Sequence, residues 1–322
     1  VKTTLTKGRT RIERIHASRL IRGGFVCTEP VVLTLGSFDG IHLGHQQILA
    51  SLDTAAGRYP GCKKVFLTFY PHPSVALKKI PALSVITNLF QRLSFLSAKN
   101  IDILAPVFFS YAVQQMEWQD FLVCLTRIFQ LKEVVIGEDA RIGRAARGTA
   151  PLIKEFLEQR GVQVTILPLL LEGDHKYGSR IIREHIMRGE VAQAALELGR
   201  PYTVVGKVRK GSQLGRTIEF PTANVHYKNA VLPPVGVYAV SVMTEQGRWI
   251  GAANLGERPS VSKSHEVRLE VHLIGFQGDL YGQRIAVEFL EKIRDQKTFP
   301  DLQALKTQIA QDVSSIQQRY RP

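Results

Sequence analysis

The run Leu33-Thr-Leu-Gly-Ser-Phe-Asp-Gly-Ile-His-Leu-Gly-His45 places two histidines, His42 and His45, three residues apart in Gly-rich backbone. Apolar Val31, Val32, Leu33 and Leu35 lead into it, and helical spacing begins just after it. A strand that ends at a helix N-terminus presents free backbone N–H groups, which form a seat for phosphate. His42 and His45 add side-chain donors there, and Gly40 and Gly44 let a nucleotide approach the backbone closely. The chemistry this invites is nucleotidyl transfer. Two plainer readings compete with it. A zinc pair would need a third ligand, and no His, Cys or Glu stands nearby in ligand spacing. The pair could also be ordinary helix-start histidines, since a short motif waits on its context.

A second constellation lies in the C-terminal half. Gly206-Lys-Val-Arg-Lys-Gly211 precedes Gly215-Arg216 and then Phe220-Pro-Thr-Ala-Asn224. The glycines let a loop fold over phosphates, and Lys207, Lys210 and Arg216 supply positive charge. Thr222 and Asn224 are neutral oxygen ligands on one side of an extended segment. They suit a Mg²⁺ ion that keeps waters and bridges nucleotide phosphates. No Walker pattern occurs here. Glu288, within Ala286-Val-Glu-Phe-Leu290, is a candidate general base, or else simply an outward-facing strand residue.

The elements that must position these groups differ between the two halves. Up to about residue 170, strand-like runs at 31–36, 64–70, 101–108, 132–137 and 162–168 alternate with helical stretches near 44–57, 88–99, 117–129 and 150–160. Such alternation predicts a doubly wound α/β domain with a parallel sheet, whose ligands bind beyond the carboxyl ends of the strands. Gly36 to His45, Tyr70-Pro-His-Pro73 and Gly137-Glu-Asp139 all fall at such ends. A helical stretch from Arg180 to Leu198, broken near Gly189, closes at Gly199-Arg-Pro. Short β-rich runs at 203–209, 236–243, 249–254, 267–274 and 285–290 then predict a small antiparallel barrel. A final helix over 301–320 carries Leu302, Leu305, Ile309, Val313 and Ile316 on one stripe, with Asp301 placed to cap it. The expected domains are 1–185 and 186–322.

Composition sets the bounds. At 322 residues the chain is long enough for two cores, and 44% hydrophobic with 22% charged residues is ordinary for a globular protein. No apolar run approaches the ~20 residues a membrane span needs. Cys27, Cys62 and Cys124, odd in number and scattered, predict a reducing, cytoplasmic setting. The net charge of +14 favours phosphate-bearing partners. Part of it is a basic N-terminal edge, read as solvated surface, in which Lys2, Lys7, Arg9, Arg11, Arg14, Arg19 and Arg22 face Glu13 alone.

Taken together the motifs resemble those of the prokaryotic bifunctional riboflavin kinase/FMN adenylyltransferase (FAD synthetase) family, over nearly the whole chain from about residue 15. In the first half the resemblance rests on Leu35 to His45, Phe69-Tyr-Pro-His-Pro73 and Gly137-Glu-Asp139. In the second it rests on Leu198-Gly-Arg-Pro-Tyr202, Pro221-Thr-Ala-Asn224, Gly236-Val-Tyr238, Asn254-Leu-Gly256, Leu269-Glu-Val-His272, Asp279-Leu-Tyr-Gly282 and Val287-Glu-Phe-Leu290 with Arg294.

The resemblance implies two reactions. The barrel transfers the ATP γ-phosphate to riboflavin, giving FMN. The N-terminal domain joins the AMP part of a second ATP to FMN, giving FAD and pyrophosphate. It further implies phosphate contacts from Gly36, Phe38, Asp39, Gly44, Ser179 and Arg183 beside His42 and His45, with the flavin near Pro71, His72, Pro73 and Asp139. In the barrel it implies nucleotide contacts from Gly206, Lys207, Gly211, Gly215, Arg216, Pro221 and Asn254. Thr222 and Asn224 hold the magnesium-nucleotide, Glu288 is the base, and Arg294 is a flavin contact. Riboflavin, FMN, FAD and ATP are the expected partners, with neither membrane nor nucleic acid.

Four departures from the family pattern stand out. Ala140-Arg-Ile-Gly143 replaces Phe-Arg-Phe-Gly, and Gly178-Ser-Arg180 replaces Ser-Ser-Thr. Glu219 stands where the pattern has Gly, and Ser260 where it has Thr. Two other readings stay open: a riboflavin kinase with an impaired adenylyltransferase domain, and a non-catalytic, flavin- or nucleotide-responsive protein that binds nucleic acid.

Overall fold

The strand runs of the first half assemble, all parallel, because helices cover the sheet on both faces. The strands are β1 (Arg11–Ile12), β2 (Pro30–Gly36), β3 (Lys63–Tyr70), β4 (Ile103–Phe108), β5 (Gln130–Gly137) and β6 (Gln163–Leu167), in the order β1-β4-β3-β2-β5-β6. The computed structural model describes residues 10–23, 27–77, 85–172, 175–211, 219–257 and 267–320. Alternation along β2 sends Val31, Leu33 and Leu35 into one core with Phe121, Leu125, Ile153 and Leu157. Val32 joins the other, with Ile48, Leu49, Leu52, Leu93 and Leu96. The helices supplying those residues are α1 (Leu43–Ala56), α2 (Leu89–Ala98), α3 (Trp118–Ile128) and α4 (Ala150–Glu158). Arg14, Arg19 and Arg22 of the basic edge lie at the surface.

The chain divides into two compact units at 178/179, not at the expected 185/186. The reason is that α5 (Ser179–Arg188) packs on α6 (Val191–Leu198). The chain turns between them at Gly189, whose φ is 82°. Gly199 ends α6 in the left-handed conformation.

Six strands then close a barrel: β7 (Tyr202–Arg209), β8 (Ala223–Tyr227), β9 (Gly236–Thr244), β10 (Gly247–Glu257), β11 (Val267–Leu273) and β12 (Arg284–Arg294). They run antiparallel in the order β7-β8-β11-β10-β9-β12, with β12 pairing back onto β7. Five of these strands match the β-rich runs of the sequence. The sixth, β8, holds the segment expected only to be extended. Inside the barrel Tyr202, Tyr238 and Phe289 are fully buried, and the Tyr202 hydroxyl donates to the Val231 carbonyl.

The last helix, α7 (Leu302–Arg319), is capped by Asp301, whose carboxylate accepts the Ala304 N–H at 2.7 Å. Its inner face differs from the expected stripe: Leu302 is exposed and Asp312 is buried beside Ile316. Asp312 is there because Arg294 of β12 reaches it through Nε (3.0 Å) and Nη2 (2.8 Å). Arg294 Nη1 donates to the Asp295 carbonyl at 3.0 Å. Three of the five guanidinium N–H groups of Arg294 are therefore engaged, two of them tying α7 to the barrel, a structural role beside the flavin contact expected of it. Replacing Asp312 with Ala leaves a mostly buried guanidinium unpaired. We expect a loss of about 3 kcal/mol in the urea unfolding of the second unit, with the first unit unchanged.

Candidate functional sites

In the first unit the chain builds from β2 to β3 and β4 on one side and then crosses to β5 and β6 on the other, so the strand order reverses between β2 and β5. The crevice at such a switch point is where open α/β sheets bind ligands. The turn after β2 opens into it. His42 is the N-cap residue of α1, and its ring stacks on His45 with centroids 3.7 Å apart. Gly44 makes room for that ring, since a Cβ there would meet His42 at 3.3 Å. The Phe38 ring meets His45 edge-on at 5.0 Å and packs on Phe66 at 4.3 Å. Gly36 is required for the same reason, because its Cβ would lie 3.0 Å from the Phe38 ring.

The turn carries two non-glycine residues in the left-handed region, Phe38 (φ 48°) and Ile41 (φ 44°). A buried polar cluster holds it there. The Asp39 carboxylate accepts the N–H groups of Ile86 (2.9 Å) and Thr87 (3.0 Å), while Thr87 Oγ1 accepts the Gly40 N–H at 2.9 Å. Arg92 of α2 lies 3.6 Å from Asp39 and donates through Nη1 to the Ser37 carbonyl (3.0 Å) and Thr68 Oγ1 (3.1 Å). Burial pulls the Arg92 pKa below the usual guanidinium range, and Asp39 opposes that pull. Phe38 and Asp39 are thus buried supports of the turn, not groups facing a ligand, a correction to the sequence reading. Arg92 and Thr87 were not foreseen, because nothing in the local spacing of α2 ties it to the β2 turn.

Other expected residues gather on the same rim. Gly137 ends β5, where a Cβ would meet Ile48 of α1 at 3.6 Å. Asp139 is exposed and pairs with Lys176 at 3.2 Å. His72 Nδ1 accepts the Ser74 N–H at 3.2 Å, so His72 shapes the Pro71–Pro73 turn. Beside that turn Tyr70 and Phe108, in register on β3 and β4, are exposed together with Tyr111. This aromatic ledge was not among the expected residues, although exposed aromatics at strand ends are its signal. Ser179 and Arg183 lie on α5 and belong to the second unit.

In the barrel, strand alternation sorts the remaining candidates. Ala223 and Val225 of β8 point inward, which leaves Thr222 and Asn224 on the outer face. Register puts Asn224 opposite Glu270 of β11, and Glu270 opposite Asn254 of β10. Thr222 precedes the pair Ala223–Val271, which brings it beside His272. Gly211 lies against this face, since a Cβ on it would sit 2.4 Å from Asn224 Nδ2. The cluster offers hard oxygen donors on an open face, a set that fits a hydrated Mg²⁺ and its nucleotide.

Glu288 is not part of this cluster. It sits on β12, three strands from β11 whichever way the barrel is traversed, with its side chain pointing outward. In register Glu288 stands opposite Thr203 of β7 and Ser241 of β9, not beside Asn224, Glu270 or Asn254. Arg248 holds Glu288 in an ion pair and donates to Ser241 Oγ at 2.6 Å. The carboxylate beside Thr222 and Asn224 is Glu270, which was visible in Leu269-Glu-Val-His272 but was given no role there.

Gly206 is also reassigned. A Cβ there would meet Val225 at 2.5 Å, so its job is close strand packing. Lys207 is exposed on β7, and Gly215 and Arg216 lie outside the described residues. Glu219 has φ 68°, the conformation the pattern's glycine suits, and Lys306 of α7 grips its carboxylate at 2.6 Å. That contact holds the Glu219 carboxyl below its ordinary range.

A sheet of the nucleotidyltransferase type with histidines at its switch point, followed by a closed barrel with an oxygen-donor face, defines a two-module nucleotide-handling protein. Comparison with known proteins narrows this. The FAD synthetase family pattern matches residues 26–181, and the Riboflavin kinase pattern matches 198–320. The bifunctional riboflavin kinase/FMN adenylyltransferase of Escherichia coli (strain K12) is 34% identical over 286 residues, 88% of this chain and 91% of that protein. Its counterpart in Buchnera aphidicola from Acyrthosiphon pisum is 33% identical over 292 residues, 90% and 93% of the two chains. A crystal structure from Streptococcus pneumoniae, described as a macrolide-efflux protein, is 30% identical. It superposes with a TM-score of 0.84 over 94% of this chain and 98% of that one. No helix among the described residues is long and apolar enough to cross a membrane. The chain belongs to the bifunctional riboflavin kinase/FMN adenylyltransferase family.

The support under the histidine turn has a measurable signature. Arg92→Met leaves the Asp39 carboxylate buried without its cation, and we expect a loss of about 3–5 kcal/mol in chemical denaturation of the first unit. Adding Asp39→Asn to that variant should recover part of the loss, because the two residues share one interaction.

Proposed function

We propose that this chain makes FMN from riboflavin and ATP in its barrel and FAD from FMN and a second ATP in its parallel-sheet unit. The observation that carries the reading is the outer barrel face, where Thr222, Asn224, Glu270 and Asn254 stand together, in a chain that also retains the stacked His42/His45 pair. In the barrel Thr222 and Asn224 would hold the magnesium-nucleotide, and the ion would supply charge neutralisation at the phosphates. Glu270 accepts the proton of the riboflavin 5′-hydroxyl as that oxygen attacks the γ-phosphorus and the bond to the β-phosphate breaks, releasing ADP. In the sheet unit the N-terminus of α1, with His42 and His45, steadies the triphosphate as the FMN phosphate displaces pyrophosphate.

The ledge of Tyr70, Phe108 and Tyr111 takes the flavin ring next to Pro71 and Pro73, which offsets the missing aromatics at Ala140 and Ile142. Lys207 and Gly211 flank the nucleotide of the kinase. Three free cysteines suit a cytoplasmic setting.

Purified protein with riboflavin, ATP and Mg²⁺ should yield FMN and then FAD by chromatography; formation of neither product would overturn the reading. Glu270→Gln should lower FMN formation by about 10²-fold or more. Glu288→Gln should keep it within about threefold, as expected for an exposed pair away from the centre. His45→Ala should slow FAD formation from supplied FMN by about tenfold or more, the scale of one lost phosphate contact in the transition state, and should leave the kinase step alone.

A further inference from the structure

We propose that His272 is a positioning residue of the kinase unit, whose Nδ1–H holds the Pro221 carbonyl and so fixes Thr222 and Asn224 for the metal-nucleotide. The proposal rests on the kinase reading and concerns a residue that takes no part in the proton transfer or ligation assigned above. The backbone ladder between β8 and β11 runs from Ala223 to Val225. Upstream of it the chain cannot continue the ladder in the usual way, because Pro221 has no N–H to give. A side chain takes over. His272 Nδ1 lies 2.9 Å from the Pro221 oxygen, and the Phe220 ring meets the imidazole edge-on at 5.4 Å.

A carbonyl oxygen only accepts, so this contact assigns the hydrogen to Nδ1. Thr222 therefore sits between two anchors, the His272 bond on one side and the first ladder pair on the other. A ligand set for Mg²⁺ works only if its oxygens are held in place, since that ion demands near-octahedral geometry. Without the His272 donor the β8 entrance frays and Thr222 leaves its position. Ala223 and Val225, packed inside the barrel, stay where they are.

The test compares His272→Ala, His272→Asn and His272→Gln in the full chain. An Asn amide nitrogen reaches about the place of His Nδ1, whereas a Gln amide extends beyond it. Binding of Mg·ADP is measured by calorimetry in a background carrying His42→Ala and His45→Ala, so that the heat reports the barrel. We expect about tenfold weaker binding for Ala and Gln, the size of one lost positioning bond, and recovery to within about threefold for Asn. The KM for ATP should rise in parallel while kcat stays within about twofold. Binding by the Ala variant within twofold of the parent would overturn the proposal, as would an Asn variant no better than Gln. Should the Ala variant not fold, the Asn–Gln comparison decides alone. Absence of FMN formation by the native chain would refute the kinase reading, whereas the calorimetric series tests the His272 bond whether or not FMN is made.

Discussion

The contact between Arg92 and Asp39 is what the histidine turn of the first unit depends on. Both groups are withdrawn from water, a costly arrangement unless every donor and acceptor is matched. Here they are matched by backbone: the Ser37 carbonyl below the turn, and the Ile86 and Thr87 N–H groups from the segment leading into α2. The cluster thus pins three separate stretches of chain to one point. What it holds is a conformation the chain would not keep by itself, with Phe38 and Ile41 both left-handed. Only in that conformation does the backbone leave β2, reverse and enter α1 with two imidazoles stacked at its first turn.

The barrel solves a different problem by closure. A closed sheet has one inside and one outside, and the inside is filled by Tyr202, Tyr238, Phe289 and branched aliphatics. Polar groups are thereby driven outward, where strand order decides which of them meet. The order β7-β8-β11-β10-β9-β12 makes neighbours of Asn224, Glu270 and Asn254, which lie far apart in sequence. The same order sends Glu288 to the opposite side with Arg248. Two carboxylates in similar apolar strands therefore have unlike surroundings.

Much of this was legible in the residues. Strand and helix runs of the first half fall within about two residues of the observed elements, because buried parallel strands and amphipathic helices leave strong local patterns. Asp301 as a cap and the break at Gly189 were equally local signals. The differences share a cause. Glu270 rather than Glu288 standing beside Thr222 and Asn224, the tie of Arg294 to Asp312, and the burial of Phe38 and Asp39 all turn on which elements become neighbours. Periodicity tells which residues share a face of one strand. It does not tell which strand lies beside it, and the Arg294–Asp312 tie spans elements that no local pattern links.

The short strand β8 has a consequence for how reliably the chain acquires its oxygen donors. Side chains along it alternate with period two, so Thr222 and Asn224 face outward only while Ala223 and Val225 face inward. A slip of one residue would press a hydroxyl and an amide into an aliphatic interior and strand two apolar groups in water. Folding therefore proofreads the placement of these side chains: a chain that closes its barrel correctly has, by the same act, delivered its hydroxyl and amide to the outer face.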